Sequence, residues 1–278
     1  MKDKKIVLFD LDGTLTEPRG PLESSMIDSL KELRRNSFEI GIVTGSDLDY
    51  LIEQCQSLFS TKHDYLRSSI HYMPCNGTKY YRSPDSIKEG EPKMIPVYEN
   101  NMRSHIGEDK FRQLMKIILS NQNTLSSSVN ALTGHFVNYR GSMINWCPIG
   151  RNASKEEREK FVEFDKKHNL RNHYIKTMKK QLGFEDSLSK NIVVKLGGES
   201  SFDIYPKGWD KTYAFQKFSN YEEIYFVGDR CGINGNDREA YIKAGKRGYE
   251  TKGPEDTRRI ISEICSGTNS LLDNADKK

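Results

Sequence analysis

The chain has 278 residues, of which 35% are hydrophobic and 29% charged, with a formal net charge of +4. That length allows one large domain or two modest ones, and a charge excess so slight and diffuse argues against a nucleic-acid binder. The five cysteines (Cys55, Cys75, Cys147, Cys231 and Cys265) are widely spaced with no CxxC pair, which excludes a disulfide framework or a zinc site and points to a reducing compartment. No apolar run approaches the ~20 residues of a membrane span, and Ile6–Phe9 ends in Asp10 too early for a signal peptide. The reading is a cytosolic protein.

Ile6 to Phe9 is a continuous apolar run bounded by charge, the pattern of a parallel strand buried on both faces. Met26, Ile27, Leu30 and Leu33 recur at helical spacing. Phe38 to Val43 reads as a second buried strand, and Leu48, Leu51, Ile52, Cys55, Leu58 and Phe59 as a helical stripe with Asp47 as N-cap. Strand, helix, strand, helix predicts a doubly wound α/β sheet.

The rhythm breaks after Asn76-Gly77, and "SPDSIKEGEPK" is rich in turn formers, as a boundary is. An amphipathic helix follows over Asp109 to Ser120, then the polar stretch "NQNTLSSS", then two short strands over Phe136–Tyr139 and Met143–Cys147. "SKEEREKFVEFDKKH" predicts a helix opened by a capping box of Ser154 and Glu157. Ile192–Leu196 and Phe202–Tyr205 flank Gly197-Gly198 as a hairpin. Beyond Lys211 the α/β rhythm returns: Ile224–Val227 is a buried strand ending in Gly228-Asp229. Pro254, Glu255 and Asp256 open a last helix, and the tail after Cys265 frays. The expected fold is a doubly wound, mainly parallel Rossmann-like core over 1–85 and 207–278, with an inserted α+β cap over 86–206 carrying an antiparallel sheet.

Open α/β sheets bind ligands at the C-terminal ends of their strands. Asp10 and Asp12 share a face if the first strand continues that far, and Asp229 ends another buried strand. Three carboxylates on one sheet edge suit a hard cation such as Mg²⁺, which takes oxygen ligands. A lone aspartate is more often a cap or turn residue, but "DLDGT" after a buried run together with a distant strand-terminal "GDR" is not a chance pattern. In the insert, Arg140, Arg151 and Arg158 stand at intervals of 11 and 7 residues. Guanidinium forks from a strand, a loop and a helix start suit a phosphate clamp, although Arg158 by itself fits a solvated helix face. Ser201 and Asp203, two apart on one strand face, are positioned either to hold sugar hydroxyls or simply to face solvent.

"FDLDGT" resembles the first signature of the haloacid-dehalogenase superfamily of phosphotransferases. The chain as a whole resembles the eukaryotic-type phosphomannomutase family, through "FDLDGTLTEPR", "GSD", "NG", "RGSMINWCPIGR", "SFDIYPKGWDKT", "GDRCGINGND" and "PEDTRRI". The resemblance implies Asp10 as the nucleophile that becomes an aspartyl phosphate and Asp12 as general acid/base. Thr44 and Ser46 would bind the transferred phosphoryl group and Lys211 would supply positive charge. It further implies Arg19, Ser201 and Asp203 as substrate residues. Arg140, Arg151 and Arg158 would hold the non-transferring phosphate. Mg²⁺ would be bound by the Asp10 and Asp229 side chains and the Asp12 carbonyl.

The reaction implied is exchange of mannose 1-phosphate and mannose 6-phosphate through a hexose 1,6-bisphosphate, which also serves as activator, with some action on glucose phosphates. A homodimer through the cap, cap closure against water and a place in GDP-mannose biosynthesis belong to the same picture. The helix face over Phe111–Leu119 is compatible with that dimer and equally with packing on the cap's own sheet.

Several positions depart from the family pattern. Thr44 stands where glycine is usual and leans toward a phosphatase-like motif. Glu199 replaces methionine or glutamine, and Arg230-Cys231 replaces Lys-Thr. Lys243 and Lys246 occupy a loop where the family holds a second cation, and ammonium groups there compete with one. Asn236 and Asp237 are retained and are expected to orient the shell of the first metal. Two other readings stay open: a Mg²⁺-dependent sugar-phosphate phosphatase on the same fold, and a non-catalytic sugar-phosphate binder. The full set Asp10, Asp12, Lys211 and Asp229 argues against the binder.

Overall fold

Ile6, Val7, Leu8 and Phe9 have no exposed surface, and they alternate between two cores: Val7 and Phe9 belong to one apolar cluster, Ile6 and Leu8 to another. A strand buried on both faces requires helices on both faces of its sheet, and the computed structural model, which describes residues 4–91, 93–183 and 191–267, has that architecture. The chain begins β1 (Lys5–Phe9), α1 (Ser24–Arg35), β2 (Phe38–Val43), α2 (Leu48–Gln54), α3 (Asp64–Ser69), β3 (Ile70–Met73), β4 (Lys79–Arg82) and β5 (Ile95–Glu99). It continues with α4 (Met102–Ile106), α5 (Glu108–Ser126), β6 (Val137–Tyr139), β7 (Ile144–Trp146), α6 (Lys155–His168), α7 (Leu170–Gly183), β8 (Ile192–Gly197) and β9 (Ser201–Pro206). It ends with α8 (Tyr213–Lys217), β10 (Glu223–Gly228), α9 (Arg238–Ala244), β11 (Gly248–Glu250) and α10 (Pro254–Ser266).

Among the described residues, seven strands form one sheet in the order β11-β10-β1-β2-β3-β4-β5. β11, β10, β1, β2 and β3 run parallel, and β4 pairs antiparallel to β3. Met26, Ile27, Leu30 and Leu33 of α1 and Ile260, Ile261 and Ile264 of α10 cover the face of Val7 and Phe9. Ala214 and Phe215 of α8 and Ala240 of α9 cover the other. The strand order reverses direction at β1, which has β10 on one side and β2 on the other. Ligands of doubly wound sheets bind at such a switch point.

The second sheet is antiparallel, in the order β6-β7-β9-β8. Alternation along its strands separates two faces. Trp146 and Phe202 stack at 4.4 Å on the face met by Tyr174 of α7 and by Gln122 of α5, whose Oε1 accepts the indole N–H at 2.6 Å. Asn145, Ser201 and Asp203 lie on the opposite face. The capping box that starts α6 forms as the sequence predicts, Ser154 and Glu157 each accepting the other's backbone N–H.

The structure corrects three expectations. The polar stretch after Ser120 is helical, because Asn121 and Leu125 continue the buried stripe of Leu114 and Ile118 and the Asn121 amide donates to Gln181 Oε1 of α7 at 2.7 Å. The segment from Ser83 does not open the insert. Arg67, fully buried, donates to Ser83 Oγ, to Pro84 O at 2.8 Å and to Asp85 O at 3.3 Å, and the chain then returns to the sheet as β5. The two compact units are therefore Met1–Tyr98 with Lys211–Lys278, and Glu99–Asp210, with crossings after 98 and 210 instead of at 85/86 and 206/207. Lastly, β1 stops at Phe9 and residues 10–16 form a tight loop, with Thr14, Leu15 and Thr16 N–H groups all donating to Leu11 O. Asp12 thus does not share a strand face with Asp10.

All five cysteines are free. Among the described residues no helix is long and apolar enough to cross a membrane. Most of the tail expected to fray lies outside the described residues.

Candidate active site

The register of β1 with β10 pairs Phe9 with Val227, and the next N–H, that of Asp10, donates to Val227 O at 2.9 Å. This brings Asp10 level with Gly228-Asp229. One carboxylate oxygen from each of Asp10, Asp229 and Asp237 lies within 4.8 Å of the others. The Lys211 ammonium sits 2.5 Å from both Asp10 Oδ1 and Asp237 Oδ1, with its side chain 1% exposed. Gly13 has φ +76°, and a Cβ there would stand 2.4 Å from Asp229 Oδ2, so both the turn and the approach of Asp229 demand glycine.

Two buried carboxylates and the half-buried Asp229 surround one buried ammonium, an arrangement expensive for charge. Burial, then the Asp237 charge, pushes the Asp10 carboxyl well above its usual range, with Lys211 opposing. Asp229 is pushed up to about 6, by burial first and by Asp237 second, against Arg230 and Lys211. Burial alone would lower the Lys211 ammonium, but Asp10 and Asp237 outweigh it and hold it above its ordinary value. Asp229 Oδ1 and Asn236 Oδ1 are buried without a hydrogen-bond partner. Unsatisfied oxygens beside surplus negative charge fit a hard divalent cation such as Mg²⁺. Asp237 was expected only to orient the metal's shell; its carboxylate belongs to the cluster itself, with Oδ2 accepting the Arg230 N–H at 3.0 Å.

Asp12 is held apart from this cluster. Its Oδ1 accepts from the Arg19 N–H at 2.9 Å, the Tyr50 hydroxyl at 2.8 Å and Gln54 Nε2 at 2.9 Å. All three bonds fall on one oxygen. Tyr50 and Gln54 stand one turn apart on α2 and are joined by a 2.7 Å bond. Arg19 adopts φ 63° in the loop and exposes its side chain. Thr44, 2% exposed, follows β2, and its hydroxyl oxygen accepts the Ser46 N–H at 3.1 Å. Lys243 donates to Thr212 O at 3.4 Å and lies over the Phe215 ring, while Lys246 is exposed.

In the other unit, Asn145 is a hub that the sequence reading passed over. Its Nδ2 donates to Ser201 Oγ at 2.9 Å and Asp203 Oδ1 at 2.8 Å, and its Oδ1 accepts from Arg151 Nη1 at 3.0 Å. Arg151, Ser201 and Asp203 are thereby brought together. Arg140, 8% exposed, stands in the β6–β7 turn, and Arg158 on α6 turns its Nη1 back to Ala153 O at 2.5 Å. Arg171 of α7 clips the β8–β9 turn, donating to Gly198 O at 3.1 Å and Ser201 O at 3.2 Å while its Nε meets Asp165 Oδ2 at 2.6 Å. Glu199, in that turn, is exposed.

The signals for the missed residues are faint but physical. Asn145 is a polar residue inside an apolar strand. Tyr50 and Gln54 are polar at i, i+4 beside the stripe of Leu51, Cys55 and Leu58.

A sequence model of eukaryotic phosphomannomutase matches residues 26–267. The span includes Lys211, Asp229, Asp237 and the Asn145 cluster and begins after the Asp10 loop. A phosphomannomutase of Dendrobium officinale is 34% identical over 252 residues, covering 91% of this chain and 90% of that protein. One from Encephalitozoon cuniculi is 36% identical over 263 residues, covering 94% and 93%. Among solved structures, an IMP-bound mutant of the IMP-nucleotidase of Plasmodium falciparum superposes with a TM-score of 0.65 at 14% identity, over 95% of this chain and 67% of that one. That likeness is one of fold.

Proposed function

The chain belongs to the eukaryotic phosphomannomutase family, and from that premise we propose that it interconverts mannose 1-phosphate and mannose 6-phosphate through an aspartyl phosphate on Asp10. The observation that carries the mechanism is the buried cluster in which Lys211 bridges Asp10 and Asp237 at 2.5 Å beside Asp229. An Asp10 carboxylate oxygen forms a bond to phosphorus of the bound sugar phosphate as the phosphorus–oxygen bond to the sugar breaks. Asp12, with Oδ1 anchored by Tyr50, Gln54 and the Arg19 N–H, presents Oδ2 as the acid that protonates the leaving sugar oxygen. In the reverse step the same oxygen removes the proton of the attacking hydroxyl.

Lys211 keeps Asp10 in place and adds positive charge beside the incoming phosphoryl oxygens. Thr44 and Ser46, adjoining at the end of β2, supply hydroxyl and N–H donors to the same group. When bound, Mg²⁺ neutralises charge on the phosphoryl group; Asp229, Asp10 and Asp237, with the Asp12 carbonyl, are the groups that would hold it. In the insert, Arg140, Arg151 and Arg158 bind the phosphate that is not transferring. Ser201 and Asp203 take sugar hydroxyls. The reading extends to glucose phosphates, to a hexose 1,6-bisphosphate intermediate and activator, to a homodimer through the insert, and to a cytosolic setting ahead of GDP-mannose.

A coupled assay of the pure protein with mannose 1-phosphate and Mg²⁺ tests the reaction. Mannose 6-phosphate should form in the presence of glucose 1,6-bisphosphate and only slowly without it. Thr44 favours a second reading, hydrolysis. Stoichiometric release of inorganic phosphate from the monophosphate, indifferent to bisphosphate, would establish that reading and overturn the mutase. Light scattering on the eluting protein tests the dimer.

A further inference from the structure

We propose that Asn145 is a positioning residue that fixes the phosphate-binding and sugar-binding groups of the insert as one rigid unit, so that substrate affinity depends on its being an amide. The inference rests on the mutase reading above. Asn145 is 3% exposed, at the centre of β7, where its neighbours Ile144 and Trp146 point to the apolar face. Its orientation is dictated by its partners. A guanidinium has no acceptor and a carboxylate no donor, so the amide oxygen must face Arg151 and the nitrogen must face Asp203 and Ser201, as the 3.0, 2.8 and 2.9 Å bonds record. Ser201 in turn donates its own hydroxyl to Gly197 O at 2.5 Å. At Gly197 a Cβ would stand 2.6 Å from the Asp203 carboxylate, so Asp203 is confined between the glycine and the amide.

An amide supplies the acceptor and the donor that this place uses. Aspartate would keep the acceptor for Arg151 but set a second carboxylate against Asp203. Leucine, similar in size, would remove both the acceptor that meets Arg151 and the donor that meets Asp203. The register Asn145↔Asp203 makes the pairing a property of the sheet, so a phosphate gripped by Arg151 and a hydroxyl gripped by Asp203 are held at a fixed separation. For a substrate that must be accepted with either end leading, a fixed separation between phosphate and hydroxyl sites is the quantity the insert has to supply.

The test is N145D, an isosteric change, assayed with mannose 1-phosphate at saturating glucose 1,6-bisphosphate and Mg²⁺. At pH about 8 its KM should exceed that of the wild type by about tenfold or more, the usual cost of losing a hydrogen bond to a charged group, with kcat changed much less. Two carboxylates in contact share a proton at raised pH, a rise that Arg151 and Lys195, opposite Asp203 in the β8–β9 register, reduce without cancelling the repulsion. Lowering the pH to about 5.5 should therefore protonate the pair, restore a donor and bring the ratio of mutant to wild-type KM down severalfold. The ratio to wild type removes the ionisation of the substrate itself. A ratio unchanged with pH, or a loss confined to kcat, overturns the inference.

If N145D alone does not fold, the exchange variant N145D/D203N restores one amide facing one carboxylate. It should fold and show a KM ratio independent of pH; a ratio that still improves on acidification, or failure to fold, counts against the proposal. A wild-type protein without bisphosphate-dependent turnover would instead sink the mutase reading itself, so the two failures are told apart.

Discussion

Asp10 is required to be both a buried group and an anion, and the residues around it divide that task. Lys211 at 2.5 Å favours the anion while burial and Asp237 oppose it. An amide at this position keeps the volume and removes the nucleophile, so Asp10→Asn should reduce turnover by at least about 10³-fold and abolish the phosphoenzyme; a coupled assay and a hydroxylamine test for acyl phosphate read both. Gly13 is constrained by its neighbour as well as its own backbone. Gly13→Ala would place a Cβ 2.4 Å from Asp229 Oδ2 and should raise the Mg²⁺ concentration needed for half-maximal rate about tenfold or more, read by a Mg²⁺ titration of activity; an unchanged titration would show that Asp229 is free to step aside. Asp10 and Asp229 were legible in the sequence because each terminates a buried apolar run, and Asp12 because it stands in "FDLDGT" beside the first of them. Tyr50, Gln54 and Asn145 were not, because a hydrogen-bond partner distant in sequence leaves no periodicity behind, and here the partners are separated by up to 58 residues; Asp237 was read only as a residue orienting the metal's shell.

At the scale of elements, the insert's sheet owes the shape of one turn to a helix. Arg171 ties the β8–β9 turn to α7 through Gly198 O and Ser201 O and is itself neutralised by Asp165, with the two side chains 10% and 12% exposed. Arg171→Met should remove both ties and leave Asp165 buried without its counter-charge, at a cost of about 3–5 kcal/mol, measurable by urea unfolding. In molecules that remain folded KM should rise more than kcat falls, because Ser201 is the residue whose backbone is released. A loss of stability under about 1 kcal/mol would mean that water replaces the guanidinium at that carboxylate. Elements with a single-face or two-face apolar period, such as β1, β2, α1 and α10, were readable to within a residue or two. The second half of α5 was not, since its inward positions include Asn121 and Gln122, whose polar atoms are met by Gln181, Trp146 and Pro148 O. β5 was hidden for a related cause: the turn-rich segment before it is fastened by the buried Arg67, and turn composition says nothing about what a distant guanidinium will hold.

For the molecule as a whole, thermal stability should register the buried acids and their cation together. The Asp229 carboxyl stands at about 6 against an ordinary value of 3.8, so the folded chain binds this proton more tightly than the unfolded chain does. The stability it contributes to the metal-free protein is complete below the unfolded value and is lost as pH rises through about 6. Asp10 is shifted in the same direction. Glu39 works the other way: its hydrogen bond to His71, then that from Tyr221, lowers it to about 2 against 4.5 and outweighs burial, so its contribution is already complete above pH about 4.5. From there upward the raised acids lose stability with rising pH while His71 and His63, both lowered by burial, gain it, so the difference between metal-loaded and metal-free protein isolates the acids. A divalent cation competes with their protons and replaces the charge balance that protonation provided, so it binds more tightly as pH increases. The melting temperature in excess Mg²⁺ should therefore nearly equal that in chelator at pH about 5, and the gap should open as pH passes about 6, in a thermal-shift series with matched ionic strength. A gap that stays constant across that range, or narrows with rising pH, would mean that the cation is held by groups other than Asp10, Asp229 and Asp237, since no other arrangement of their charges makes protons and metal exclude one another.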